Sequence, residues 1–364
     1  MPDAMTSRER IVAALEGRPV DRLPFCPFLA YYWDSVAEEV RDRGLLAFLH
    51  EIGADPLWRG DAWGAPCPTR RRVEGVEHRR YADGPRQITE TITPVGTLRE
   101  VRQASAEANT TYLTGFPLQG EEDYKVQLWI EEHTSTAWTD PGVLRAAVAQ
   151  EGLALGMIIP EGRTAWARLI QQLAGTESLA YALADFPETV EALLAAMVEN
   201  DLRAVHMAAE SEYSHFLGWE NTSTQNYSPA MFRRYNAPEL AKWCRILRAS
   251  GKRFVHHACG HLLDLLADIK ACGVSAIESI AAPPTGNISM SQARAIAGGD
   301  MGIIGGVEPT HLLTLPPDEL EPYVEEVVQD CGGGPFVLAN SDSCPPGVTV
   351  EKLKLIAQIA RRHR

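Results

Sequence analysis

Short apolar segments alternate with amphipathic helices throughout the second half of this 364-residue chain. Such even spacing is typical of parallel β/α units, because two parallel strands need a crossover that is usually helical. At least four units are predicted between residue 213 and the C-terminus, with strands near 213–218, 252–259, 276–280, 301–305 and 336–339. The preceding residues are numerous enough to supply the other strands of a closed barrel.

We therefore predict an α/β fold of the TIM-type (β/α)8 class, as one domain over residues 1–364. An open doubly wound sheet is the alternative. No Gly-x-Gly-x-x-Gly motif follows the first predicted strand, which removes the usual dinucleotide-binding interpretation.

One early segment departs from this alternation. Residues 87–103 alternate with period two about the turn Pro94-Val95-Gly96, which predicts a β-hairpin. A hairpin inserted into a β/α chain is typical of a lid, so we expect a cover at about residues 85–105.

The charge and the composition exclude several classes of protein. The formal net charge is −14, which argues against a nucleic-acid or anionic-membrane surface, and the runs 70–72 and 79–80 of arginine are interpreted as solvated. The first ten residues lack the apolar core of a signal peptide, and no segment is apolar enough to span a membrane. Seven scattered cysteines are typical of a reducing compartment. We expect a cytoplasmic protein that binds neither nucleic acid nor membrane.

The segment His256-His257-Ala258-Cys259 ends one of the predicted strands. Side chains two apart on a strand share a face, so the imidazole of His257 and the thiol of Cys259 are expected side by side. His-x-Cys is half of a typical zinc site. His256 points to the other face and is predicted to be structural, and His261 is expected either at the surface or next to the ligands, rather than as a ligand itself.

Other reactive side chains are expected at the same barrel rim, since the C-terminal ends of the strands meet there. Glu278 lies in an apolar strand, where a carboxylate needs a partner, so a functional or ion-paired role is expected. Cys344 lies in a loop and can be either a third metal ligand or an ordinary small residue. A His/Cys/Cys set with an exchangeable fourth position is typical of catalytic zinc, and the paired CxxC motifs of structural zinc are absent.

Four segments of the chain resemble the uroporphyrinogen decarboxylase superfamily: ERIVAALEGRPVDRLP (9–24), TPVGT (93–97), GKRFVHHACG (251–260) and FVLANSDSCPPG (336–347). The resemblance spans about residues 5–362, and the His-x-Cys … Cys pattern is similar to its zinc methyltransferase branch, which includes the corrinoid:coenzyme M methyltransferases. This resemblance implies that His257, Cys259 and Cys344 bind Zn²⁺, with Glu278 as fourth ligand. It also implies a corrinoid (cobalamin) cofactor, carried by a partner protein.

The decarboxylase branch fits less well, because its early Arg-Gln-Ala-Gly-Arg signature is missing. An aromatic stretch stands there instead, and its Tyr31, Tyr32 and Trp33, together with Trp63, are predicted to form a substrate wall. Such a wall suits a small apolar or aryl group. Glu220 and Asp342 are expected either to handle protons or to be ordinary loop carboxylates.

The predicted function is therefore a zinc-dependent methyltransferase. It would move a methyl group between a corrinoid and a small thiol or a methoxylated or methylated substrate. Two alternatives stay open: a cofactor-free decarboxylase of a small acid, and a non-catalytic zinc-binding protein.

Overall fold

A computed structural model describes residues 4–105 and 110–364 of the chain. The strands are, in chain order, β1 (Leu57–Arg59), β2 (Thr69–Val73), β3 (Glu77–Asp83), β4 (Arg86–Thr93), β5 (Gly96–Ser105), β6 (Thr110–Gly115), β7 (Thr134–Trp138), β8 (Leu153–Met157), β9 (His215–Gly218), β10 (Arg253–His257), β11 (Ala276–Ile280), β12 (Gly302–Val307) and β13 (Phe336–Asn340). The α-helices are α1 (Ser7–Leu15), α2 (Ala30–Ser35), α3 (Glu38–Asp42), α4 (Leu45–Ile52), α5 (Glu121–Glu132), α6 (Pro141–Ala149), α7 (Ala165–Arg168), α8 (Thr176–Asp185), α9 (Pro187–Glu210), α10 (Pro229–Met231), α11 (Ala237–Ala249), α12 (Leu266–Ala271), α13 (Met290–Ala297), α14 (Pro309–Thr314), α15 (Pro317–Asp330) and α16 (Val350–Ala360).

Seven strands form one parallel sheet in the order β1-β8-β9-β10-β11-β12-β13. Neighbours in the sheet therefore follow chain order throughout. A doubly wound sheet would reverse its strand order at a switch point, so that alternative is excluded.

The position of an eighth strand is taken by the extended segment around Phe25. Phe25 forms a single parallel bridge with Leu338 of β13. On the other side, the N–H of Asp55, just before β1, donates to the Phe25 carbonyl at 2.7 Å. Pro24 and Pro27 have no N–H to donate, which explains why the segment forms a bridge rather than a full strand. The arrangement is compatible with a TIM-type barrel.

The apolar residues of the sheet divide between its two faces. One cluster fills the interior and includes Leu155, Leu217, Val255 and Ile304, with Ile11 of α1 covering one end. A larger cluster lies between the strands and the surrounding helices. Burial of both faces explains why these strands are continuous apolar runs in the sequence.

The predicted early hairpin is confirmed. Strands β4 and β5 pair antiparallel, with Thr93 opposite Gly96 at the turn, and β3 and β6 extend the pair to the sheet β3-β4-β5-β6. Leu98 of β5 packs in the same apolar cluster as Val126 and Ile130 of α5, which attaches this hairpin sheet to the helical layer. Strands β2 and β7 form a separate antiparallel pair.

Gly44, with φ +83°, separates α3 from α4. One local expectation needs correction. The arginine run 70–72 is not wholly solvated, since Arg71 forms an ion pair with buried Glu131. Strand β3, which carries Arg79 and Arg80, is exposed along its whole length, as expected. Within 4–105 and 110–364, no helix is long and apolar enough to cross a membrane.

Candidate active site at the mouth of the barrel

Three buried ionisable side chains meet inside the barrel at the C-terminal ends of the strands. His257 of β10 lies beside Glu278 of β11 in the parallel register, and its Nδ1 is 3.0 Å from Glu278 Oε2. Arg59, the last residue of β1, donates from Nε to Glu278 Oε1. All three side chains are almost completely buried. Both carboxylate oxygens of Glu278 are therefore engaged by protein partners.

The charges of these groups are set by their neighbours. Burial would raise the pKa of Glu278, but the Arg59 charge and the hydrogen bond to His257 together lower it to about 2. Burial would likewise lower the pKa of His257, but hydrogen bonds to Cys259 and Glu278 raise it to about 10. Glu278 is thus an ionised acceptor for His257 Nδ1–H, and the His257 ring is protonated near neutral pH.

A chain of polar contacts continues outward from Cys259. Its Sγ is 4.0 Å from Oδ1 of Asn221, in the loop after β9. Asn221 Nδ2 donates to Gln171 Oε1 at 3.2 Å, and the same oxygen accepts from Arg163 Nε at 2.8 Å. These contacts connect the buried His257 to a cationic side chain at the rim.

Backbone strain is concentrated at the same rim. Asn221, Ser279 and Asp342 are the non-glycine residues with positive φ in the described chain, at +45°, +70° and +75°. They follow β9, lie within β11 and follow β13, respectively. The N–H of Asp342 donates to Ser279 Oγ at 2.9 Å, so two of them support each other. Such conformations cost free energy and cluster at functional sites, which favours this rim as the active site.

An aromatic wall borders His257. The Trp219 ring lies 4.7 Å from the imidazole, and Phe28 lies 5.4 Å from Trp219. Trp63 meets Phe28 edge-on at 6.5 Å. Of the residues predicted for the wall, Trp63 lies in this aromatic group. Phe28 and Trp219 also line it, although the sequence analysis did not name them.

The other three residues predicted for the wall lie in two different places. Tyr31 is 47% exposed, and its hydroxyl is within electrostatic range of Cys259 and Asp342. Tyr32 and Trp33 instead pack against Phe48, with ring centroids 5.8 Å and 5.6 Å away. The segment is the helix α2, in which successive side chains are about 100° apart, so Tyr32 and Trp33 do not share the direction of Tyr31.

The other candidate residues occupy different surroundings. Glu220 is fully buried and accepts from the N–H and Oγ1 of Thr164, at 2.9 Å and 2.7 Å, so it holds the start of α7. Asp342 is half-buried at the rim and accepts from the N–H of Ser343. Cys344 is fully buried with its Sγ 3.8 Å from the Pro345 carbonyl, and burial raises its pKa.

These positions bear directly on the predicted zinc site. In the part of the chain that the structure describes, no three His, Cys, Asp or Glu side chains form a group able to hold a metal ion. His257 and Cys259 are neighbours, but Cys344 contacts Pro345 and Glu278 is held by Arg59 and His257. The four predicted ligands, as arranged here, do not fit a tetrahedral zinc ion.

His256 behaves as expected: its Nε2 lies 2.9 Å from Thr222 Oγ1, away from the mouth. Arg59 is the main residue that sequence reasoning missed. The requirement that buried Glu278 have a partner already implied a buried cation, and an arginine at the end of an apolar strand was the available signal. Which arginine pairs with Glu278 depends on which strands face each other across the barrel.

Comparison with known proteins agrees with this architecture. Residues 164–363 match the family described as Uroporphyrinogen decarboxylase (URO-D). No curated protein matches the sequence significantly. A methyltransferase from Methanosarcina mazei shares the fold, with TM-score 0.60 and 17% identity over 98% of this chain and 99% of its own. A B12-independent methionine synthase from Shewanella sp. W3-18-1 gives TM-score 0.48 and 11% identity, over 94% and 97% of the two chains.

Proposed function

The chain belongs to the uroporphyrinogen decarboxylase (URO-D) family, and on this premise we propose that it is a methyltransferase. The observation that carries the proposal is the pair of His257 and Cys259 at the barrel mouth, with the imidazole held by Glu278. The Cys259 sulfur is a donor for a soft reacting centre, and the His257 imidazole becomes a second donor when metal binding displaces one of its protons. The fold shared with the Methanosarcina mazei methyltransferase supports this choice.

In this proposal one of the two reactants is a corrinoid carried by a separate protein. The other substrate is a small thiol or a methoxylated or methylated compound. The resemblance of the His-x-Cys … Cys pattern to the corrinoid:coenzyme M methyltransferases supports the corrinoid assignment, and the wall of Phe28, Trp219 and Trp63 supports a substrate with an apolar or aryl body. These aromatic rings also exclude water from the side of His257 that they cover.

The chain's own residues prepare the site in two ways. Glu278 fixes the ring orientation of His257 by accepting from Nδ1, and Arg59 keeps Glu278 ionised. Cys259, which is partly exposed, presents its sulfur toward the mouth. Zinc binding by the predicted ligands is a further part of this proposal, and it requires Cys344 to leave its contact with the Pro345 carbonyl.

The test is methyl transfer by the purified protein. We expect the protein to demethylate methylcobalamin in the presence of a small thiol from a panel. In the reverse direction, we expect it to methylate reduced cobalamin with a methoxyarene as methyl donor. The absorption spectrum of cobalamin reports both reactions. Cys259→Ser should lower the rate at least 100-fold, whereas Cys331→Ser, a buried cysteine before β13, should leave it within twofold. Absence of transfer in both directions would refute the proposal.

Metal analysis of the same proteins tests the zinc component. One zinc per chain that is lost from both Cys259→Ser and Cys344→Ser would establish the predicted ligand set. Zinc retained in Cys344→Ser would exclude Cys344 as a ligand. A protein without zinc that releases CO₂ from small organic acids would instead be a decarboxylase.

A further inference from the structure

Each of the four buried arginines in the described part of the chain is paired with a carboxylate. Arg10 and Arg22 both bind Asp55, at 2.6 Å and 2.7 Å, and Arg168 binds Asp201 at 2.8 Å. Arg59 binds Glu278 in the same way. This pattern is expected, because a desolvated guanidinium without a counter-charge is costly.

Arg163 departs from this pattern. It lies in the loop after β8, at the C-terminal rim, and is only partly exposed. Its Nε donates to Gln171 Oε1 at 2.8 Å and its Nη1 to the Glu161 carbonyl at 3.3 Å, both neutral acceptors. Of the carboxylates in residues 4–105 and 110–364, none forms an ion pair with Arg163, and its Nη2 has no hydrogen-bond partner there. Glu220 is within electrostatic range, but its oxygens accept from Thr164.

The position of Arg163 relates it to the proposed active site. The preceding residue, Gly162, accepts from the Trp219 N–H at 2.6 Å, and a Cβ at Gly162 would lie 2.9 Å from the Trp219 ring. Arg163 is also within electrostatic range of Cys259. Its loop is therefore packed against the aromatic wall that borders His257.

The orientation of the guanidinium is fixed as well. Gln171 Oε1 accepts from both Arg163 and Asn221, and Gln171 Nε2 donates to the Glu220 carbonyl. Gln171 thus forms hydrogen bonds through both its amide oxygen and its amide nitrogen, and it holds the Nε edge of Arg163. Arg102 of β5 is a second cation within electrostatic range, but it is paired with Glu100 at 2.6 Å, so its charge is largely offset.

We propose that Arg163 binds the carboxylate of a small organic substrate at the barrel mouth. The apolar part of the substrate lies against Trp219 and Phe28, and its reacting group faces Cys259. A guanidinium with an open Nη2 matches a carboxylate in geometry and charge. Gln171 is a positioning residue in this arrangement. The identity of the reacting group rests on the proposed function; the carboxylate site itself does not.

The experiment measures binding without any methyl donor. Isothermal titration calorimetry compares 3-methoxybenzoate and 3-mercaptopropionate with their neutral amides. In the wild-type protein at least one acid should bind ten or more times more tightly than its amide. Arg163→Gln should abolish that preference, and Arg163→Lys should retain part of it. Arg248→Gln, at the opposite end of the barrel, should have no effect, and circular dichroism verifies that each variant is folded.

Three outcomes decide the proposal. Equal binding of acids and amides by the wild-type protein would overturn it, and so would an undiminished preference in folded Arg163→Gln. Loss of the preference in Arg163→Gln with retention in Arg163→Lys supports it. If carboxylate binding behaves as expected but no methyl transfer occurs, the carboxylate site stands and the methyltransferase proposal fails.

Discussion

Arg59 and Glu278 form an ion pair across the interior of the barrel, although their strands β1 and β11 are not neighbours in the sheet. Arg59 also donates to the carbonyls of Cys26 and Pro27, in the segment that occupies the eighth strand position. One side chain therefore joins the closure of the barrel to the carboxylate that orients His257. The fold and the proposed chemistry depend on the same buried charge.

Removal of Arg59 should be strongly destabilising. Arg59→Gln leaves Glu278 as a buried carboxylate without its main counter-charge, so we expect the free energy of unfolding to fall by about 3–5 kcal/mol. The double variant Arg59→Gln/Glu278→Gln should recover part of the loss, because the uncompensated charge is gone. Urea denaturation, monitored by circular dichroism, measures the free energy of unfolding of both variants. A loss below ~1 kcal/mol, the level typical of a surface ion pair, would contradict the buried pair.

Ser279 offers a direct test of backbone strain at the rim. Its φ of +70° favours glycine, whereas its Oγ accepts from the Asp342 N–H. Ser279→Ala and Ser279→Gly both lose the hydrogen bond, but only glycine relieves the strain. We expect the glycine variant to be more stable than the alanine variant by about 1 kcal/mol in urea denaturation. Ser275, just before β11 and without positive φ, should show the reverse order; the same order at both sites would argue against strain.

Periodicity predicted the features that depend on local chemistry. The late strands are apolar on both faces, so their alternation with helices predicted the parallel sheet, and period two at residues 87–103 predicted the hairpin. The same two-residue repeat placed His257 and Cys259 side by side. Each of these follows from neighbouring residues in the sequence.

The features that depend on barrel closure were not predictable. The partner of Glu278 is 219 residues away in the sequence and comes from the opposite side of the barrel. The direction of the Cys344 thiol depends on the path of the loop at Pro345. Tyr32 and Trp33 were assigned to the mouth because an aromatic run carries no information about which face of a helix is buried.

Asn287 stabilises the loop that follows the His257–Cys259 pair. Its Oδ1 accepts from the backbone N–H groups of Leu262 and Leu263, at 2.7 Å and 3.1 Å. Asn287→Ala leaves both donors without that partner, so we expect a loss of about 1–3 kcal/mol and at least tenfold faster amide exchange at these two residues. Asn287→Asp keeps the acceptor oxygens and should retain slow exchange. Equal exchange rates in the alanine and aspartate variants would refute the role of Oδ1.

His215 is a buried histidine at the start of β9, away from the mouth. It is 4% exposed, and its Nδ1 contacts Ser214 Oγ at 2.9 Å. Burial, together with the charge of Arg253, lowers its pKa to about 4 in the folded protein. The unfolded chain, with an ordinary histidine pKa of about 6.5, binds a proton between pH 6.5 and 4 that the folded protein does not. His215 therefore has no effect above pH 7 and destabilises the protein increasingly as the pH falls through this window.

Replacement of His215 should remove that part of the acid sensitivity. We expect the free energy of unfolding of the wild-type protein to decrease, relative to His215→Gln, by about 2 kcal/mol between pH 7.5 and pH 4.5. Urea denaturation at pH 7.5, 5.5 and 4.5 measures the difference. Arg253→Gln should recover part of the decrease, because the nearby positive charge disfavours protonation of the imidazole. If the wild-type and His215→Gln proteins lose stability in parallel over this range, the acid sensitivity has its origin in the buried carboxylates instead.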